Sequence, residues 1–206
     1  MKYFIILFTI CFLSQNLYSQ EYDVRNLKWG MGHSKVMKIE KQQGNEMFWF
    51  ENKPNPSFLD CTGCFKIGDY GTRLTYKFSP ESDKLFEANI EIFYSDITQE
   101  NETFEFVYGL LQEKFGGPGE KHYTGDLLPD GTRSENVFYL WENERSWFVF
   151  EHPFIGFKNF VITYTSKQYL NTALDEVAKL SGKKIPGTES EEKNKQKTKQ
   201  EALDQL

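Results

Sequence analysis

Two cysteines three positions apart, in Cys61-Thr62-Gly63-Cys64, are the sharpest chemical feature of this 206-residue chain. The spacing admits three chemistries. A redox dithiol needs a stabilised thiolate, ordinarily at a helix N-terminus, whereas Cys64 runs into Phe65-Lys66-Ile67-Gly68, which is strand-like and ends in glycine. Zinc needs two more ligands, and His33, His122 and His152 show no paired spacing. A structural disulfide clipping a loop or hairpin asks least of its surroundings, and the sequence favours it over redox and metal work.

Other reactive types stand apart from one another. His152-Pro153 lies in an aromatic stretch from Phe150 to Phe157, where Glu151 and Tyr164 are its candidate acid/base partners, but general catalysis requires positioned groups and a lone loop histidine carries little weight. Asp126 and Asp130 flank a loop without the regular acidic spacing of a calcium site. Asn101-Glu102-Thr103 matches a glycosylation acceptor. The sequence contains no GxSxG, HExxH or phosphate-cradling glycine loop. The motifs therefore weigh against an enzyme, and they call for no cofactor and no metal.

The elements that position these residues read clearly in places. The stretch from Asp96 to Pro118 is the strongest amphipathic helix, with Phe104, Val107, Tyr108, Leu111 and Phe115 in one stripe and Glu102, Glu105, Gln112 and Glu113 opposite. Thr98 or Asn101 is expected to cap its start, and Gly116-Gly117-Pro118 its end. An earlier short helix should place Val36, Ile39 and Met37 inward and stop at Gly44, with Trp29 as a core anchor at its entrance. Alternation of period two predicts strands at Glu46 to Glu51, Arg73 to Phe78, Phe86 to Tyr94, Val137 to Trp141, Arg145 to Phe150 and Asn159 to Thr165, plus a short one at Glu120 to Thr124. A last helix, Lys167 to Leu180, sets Leu170, Leu174, Val177 and Ala178 at helical spacing.

A helix followed by three or four antiparallel strands thus occurs twice. The expected fold is a single α+β domain over residues 20–181: antiparallel sheet or sheets covered by helices, with two α-β-β-β(-β) half-units in tandem, residues 20–97 and 98–181, and a C-terminal helix. Each sheet is expected to be roofed by its own helix.

Flanking this body are two segments of different character. Met1-Lys2 is a short basic start, and Tyr3 to Leu13 is an apolar run too short for a bilayer, where about 20 residues are needed. Residues 1–19 read as a signal peptide cleaved after Ser19, and Cys11 lacks the small neighbours of a lipoprotein site. The protein is accordingly expected to be exported, periplasmic or extracellular, and not membrane-spanning in its mature form. Residues 182–206 are rich in Lys, Glu, Gln and Ser without aromatics, the composition of a disordered charged tail. The net charge of -6 argues against nucleic acid as a partner.

Trp29-Gly30-Met31 followed by Val36 and Ile39 resembles a common opening of small exported bacterial domains, and Phe115-Gly116-Gly117-Pro118 resembles the end of their second helix. The element order is similar to that of tandem helix-plus-sheet domains of the β-lactamase-inhibitor-like and SmpA/OmlA-type envelope kind. That resemblance implies protein binding or envelope assembly and no catalysis. Gly32 stands where the helix cap of such domains is expected, which leaves the first helix poorly started. No binding residue carries over.

With 17% aromatic residues, the chain has the side chains that interface centres favour. The sequence therefore predicts an exported non-enzymatic binding or envelope-assembly module, with Trp49, Phe58, Phe154 and Phe157 in its aromatic loops and the outer sheet face as the contact surface. The partner would be another envelope protein or an apolar small molecule. Two other readings stay open: a thiol-disulfide protein using Cys61 and Cys64, and an apolar-ligand carrier with a cavity between helices and sheet.

Overall fold

A computed structural model describes residues 23–127, 133–151 and 159–182. Helix α1 (His33–Gln42) precedes strands β1 (Phe48–Phe50), β2 (Ser57–Ile67), β3 (Tyr70–Phe78) and β4 (Leu85–Phe93). A 3-10 turn (Ile97–Gln99) leads into α2 (Glu100–Phe115), then β5 (Glu120–Leu127), β6 (Arg133–Glu142), β7 (Ser146–Glu151), β8 (Asn159–Ser166) and α3 (Tyr169–Ser181). The fold is α+β, with the expected helix-then-strands order occurring twice before a closing helix. Residues 1–22 and 183–206, which include the expected leader and nearly all of the expected tail, lie outside the described residues.

The two sets of strands do not form separate sheets. They join into one eight-stranded antiparallel sheet in the order β1-β2-β3-β4-β8-β7-β6-β5. The seam is β4 against β8, in register from Glu87↔Thr165 to Phe93↔Asn159. Period-two alternation decides that register, because a slip of one residue would turn every apolar side chain outward. Ala88 meets Tyr164, Ile90 meets Ile162 and Ile92 meets Phe160 on the inner face, and all six are buried.

Helices α1 and α2 cover that inner face. Val36 of α1 is fully buried. The α2 stripe packs as expected: Phe104 stacks on Phe150 with centroids 5.6 Å apart, and Phe115 lies 4.4 Å from Phe148. Thr103 is an unexpected member of the stripe, fully buried with its hydroxyl donating to Gln99 O at 2.7 Å. In α3, Ala173 is the buried residue and Leu174 is exposed, which shifts the inward stripe from the one expected. Trp29 is a core anchor, 7% exposed, and its indole Nε1 donates to Ser146 Oγ at 2.7 Å, tying the chain start to β7.

The largest departure from expectation is β2. The stretch from Trp49 to Phe58 was expected to be an aromatic loop and the cysteine pair a clip beside it; Ser57–Ile67 is instead the longest strand, 11 residues. Pro54, Pro56 and Gly63 hide its period, and its inner face opens on small or polar Ser57 before Leu59 and Cys61.

Helix starts also differ from expectation. Neither Thr98 nor Asn101 caps α2; Gln99 occupies the cap position without a side-chain bond to the helix, its Oε1 accepting from Ser95 Oγ at 2.8 Å, and Asp96 Oδ1 accepts from Thr98 N at 3.0 Å. Its end is as expected: Gly116 is left-handed at φ 81, and the amides of Gly116 and Gly117 both donate to Gln112 O. For α1 the missing cap comes from across the fold. The carboxylate of Asp83, 50 residues on, accepts from His33 N at 3.2 and 3.3 Å, and a side chain at Gly32 would collide with it, its Cβ 2.8 Å from Asp83 Oδ2. Glycine at position 32 is therefore what admits a cap supplied by the β3–β4 turn. Asp83→Ala should lower stability by about 1–2 kcal/mol in urea unfolding, the usual worth of a cap. Asp83→Asn, which keeps an acceptor and tolerates the left-handed backbone, should lose less than half of that.

Candidate functional site

The cysteine pair sits inside β2. Cys61 is bonded to Cys64, with Cα atoms 5.9 Å apart. Pairing with β3 shifts between Thr62↔Arg73 and Lys66↔Gly71, so Gly63, Cys64 and Phe65 bulge opposite Thr72 alone. Gly63 is left-handed at φ 75, and Thr72 Oγ1 donates to Phe65 O at 2.7 Å, closing the gap in the ladder. The disulfide thus clips a β-bulge within one strand, rather than a loop or hairpin. It lies in mid-strand, away from any helix N-terminus that would favour a thiolate.

Of the three histidines, His33 is far from solitary. Its ring stacks on Trp49 with centroids 4.1 Å apart, its Nδ1 lies 2.9 Å from Asp83 Oδ2, and its Nε2 lies 3.2 Å from Ser34 Oγ. The order Asp83, His33, Ser34 imitates an acyl-transfer relay. Capping of α1 already accounts for the placement of Asp83 and His33, and Ser34 is an exposed neighbour in the same helix. His122 stacks on Phe138 at 5.0 Å beside Glu120. His152 lies outside the described residues. Its proposed partners are separated by the sheet itself: Glu151 points to the outer face, while Tyr164 is buried on the inner one.

Asp126 pairs with Ser134 near the end of β5, and Asp130 lies outside the described residues. The glycosylation acceptor Asn101 is exposed in the first turn of α2, and the Thr103 of its motif is buried.

A buried carboxylate escaped the sequence reading. Glu40 is fully buried in α1, where it accepts from Tyr76 OH and from Asn45 Nδ2, each at 2.5 Å, and lies 3.3 Å from Arg25 Nε. Arg25, left-handed at φ 51, lays its guanidinium 4.2 Å from the centre of the Phe65 ring. A buried charge is tolerated when a cation and donors surround it, and this set ties the chain start, α1, β3 and the bulge together. Burial first, then the Glu40 charge and hydrogen bond, holds the Tyr76 phenol well above its ordinary value.

The outer face of the sheet carries no buried side chain among the described residues. Across β2 to β4 it is a ladder of charges: Arg73 Nε to Asp60 at 2.8 Å, Lys77 Nζ to Glu87 at 2.6 Å. Across β8, β7 and β6 it turns apolar, with Val161, Val149, Trp147, Leu140 and Phe138 in adjacent rows. At the β1 edge Phe48 and Phe50 are 59% and 45% exposed, and Phe50 stacks on Phe58 at 4.9 Å. Phe58, expected in an aromatic loop, lies in β2 and belongs to this face. Trp49 does not: it points inward, sandwiched between His33 and Phe78. Phe154 and Phe157 lie outside the described residues, and Phe150, placed at the start of their loop, is a fully buried strand residue.

Searches of protein-family models, curated proteins and solved structures return no match to this chain. Among the described residues no helix is long and apolar enough to cross a membrane.

Glu40→Ala should destabilise the protein by about 3 kcal/mol or more in chemical unfolding, because Arg25 and Tyr76 then lose a buried partner. The phenol has its own signature. An unfolded tyrosine loses its proton near pH 10, the folded Tyr76 only above that, so the native state carries the extra proton in between. Stability from this group is complete below pH 10 and falls as the pH rises past it. Absorbance titration should show one phenol, absent in Tyr76→Phe, ionising only with unfolding.

Proposed function

We propose that the protein is an exported, non-enzymatic binding or envelope-assembly module that works through the outer face of its sheet. One observation carries this reading: a sheet whose inner face is closed by helices presents, on the other side, rows of half-buried aliphatic and aromatic side chains that no helix covers among the described residues. Apolar surface of that kind marks interaction sites, and Phe and Trp are the residues interface centres favour. The exposed Phe48 and Phe50 of β1, with Phe58 of β2 stacked against Phe50, extend the surface.

A disulfide within β2 is compatible with an oxidising compartment, and the tandem helix-plus-sheet order that resembles envelope domains supports the same destination. The carrier reading finds no such support, since Phe104, Tyr108, Tyr139, Phe150 and Phe160 pack ring to ring between α2 and the sheet. A mid-strand disulfide likewise gives the redox reading nothing to activate a thiolate.

Tagged full-chain protein, mixed with the native envelope fraction, is expected to retain a defined partner. Phe48→Ser/Phe50→Ser and Val149→Glu should each cut that capture by roughly tenfold, as hot-spot truncations do, with thermal melting unchanged. The double variant Cys61→Ala/Cys64→Ala should capture as the native chain does. Capture by both face variants equal to that of the native chain would contradict the assignment, and loss of capture only in the cysteine variant would move it to the thiol pair.

A further inference from the structure

Charge pairing on the outer face, among the described residues, leaves one carboxylate of its apolar half unmatched. Lys77 is matched to Glu87, Arg73 to Asp60 and Glu91, and Lys167 to Glu142, while Glu120 lies 3.5 Å from His122 Nε2. Asn159 Nδ2 donates to the same Glu91 at 3.3 Å. Glu151 at the end of β7 is an exposed carboxylate of this face with no cation or donor among the described residues. In the strand register it stands between Phe138 and Val161, with Val149 and Leu140 filling the next row. Lost hydration among these neighbours, and after it the Glu87 charge, raises its carboxyl above the usual range.

We propose that the apolar half of this face receives a polypeptide segment of another protein presenting one lysine or arginine between apolar side chains, with Glu151 taking the cation. The inference rests on the binding role above and names the chemistry of its partner. An unmatched carboxylate amid apolar side chains rewards a partner that brings the opposite charge and apolar flanks together. The Phe138 ring beside it offers a second attraction to a guanidinium or ammonium. A second copy of this chain fits poorly, since a two-fold contact centred on Glu151 would set that carboxylate against its own equivalent without bringing a cation.

The probe is a displayed library of random peptides of about 12 residues, long enough to cross the β6, β7 and β8 rows. It is panned on the full chain after depletion on Val149→Glu, or on Thr163→Lys should the first variant fail to fold. Retained peptides are expected to carry Lys or Arg flanked by apolar residues. Glu151→Gln should weaken their synthetic versions by roughly tenfold, Glu151→Lys should abolish binding, and added salt should weaken binding to the native chain more than to Glu151→Gln. Peptides without basic enrichment, or with equal affinity for Glu151→Gln, overturn the inference. If such peptides still depend on Val149, the binding role of the face stands without the cation; if they ignore Val149 as well, both fall. A dimer of the native chain in sedimentation that Glu151→Gln disperses would also overturn it, by assigning the carboxylate to self-contact.

Discussion

The pairing of β4 with β8 is the constraint from which the rest follows. Each four-stranded meander ends in a strand that needs a neighbour, and an unpaired edge there would expose a row of backbone donors and acceptors. Joining the two last strands satisfies both edges at once and leaves β1 and β5 as the outer edges of one sheet. It also forces both halves to share a single inside and a single outside. Ile90 opposite Ile162 and Ile92 opposite Phe160 make the core continuous across the seam. The same register lines up Asn89 with Thr163 and Glu91 with Val161 on the other side, so the outer face is continuous too. Core and outer face are therefore two consequences of one register.

Long-range polar ties hold the chain start against this sheet. Asp23 accepts from Trp29 N at 2.7 Å and from Arg145 at 2.8 Å, while the Trp29 indole reaches Ser146. Arg25 reaches Glu40, and Glu40 reaches Tyr76. Those bonds link residues before α1 to β3 in the first unit and to β7 in the second, so the opening segment bridges both. Buried polar groups of this kind add little net energy when paired and cost much when left alone. Their effect is to reject other packings of α1.

Much of this architecture can be read from the chain, and the gaps have physical causes. β3 and β4 alternate cleanly because one face is wet and the other dry, and α2 shows its stripe for the same reason. β2 hides because its inner face begins with serine and its bulge puts Gly63, Cys64 and Phe65 off period. Glu40 reads as a surface residue, since nothing local reveals that Arg25, Asn45 and Tyr76 will converge on it. Gly32 looks like a defect until Asp83 arrives from the β3–β4 turn. Trp49 and Phe58 look alike in sequence, yet parity in β1 and β2 sends one inward and the other out. The outer patch is the least legible feature, because Phe138, Leu140, Val149 and Val161 sit in three strands and meet only once the register is known.

Amide hydrogen exchange resolved along the chain tests the single sheet most directly. If β4 and β8 form its centre, amides from 87 to 93 and from 159 to 165 belong to one slowest class, opening with the free energy of global unfolding. Exchange that releases one meander while the other stays protected would show two independent bodies, with neither a shared core nor a shared outer face.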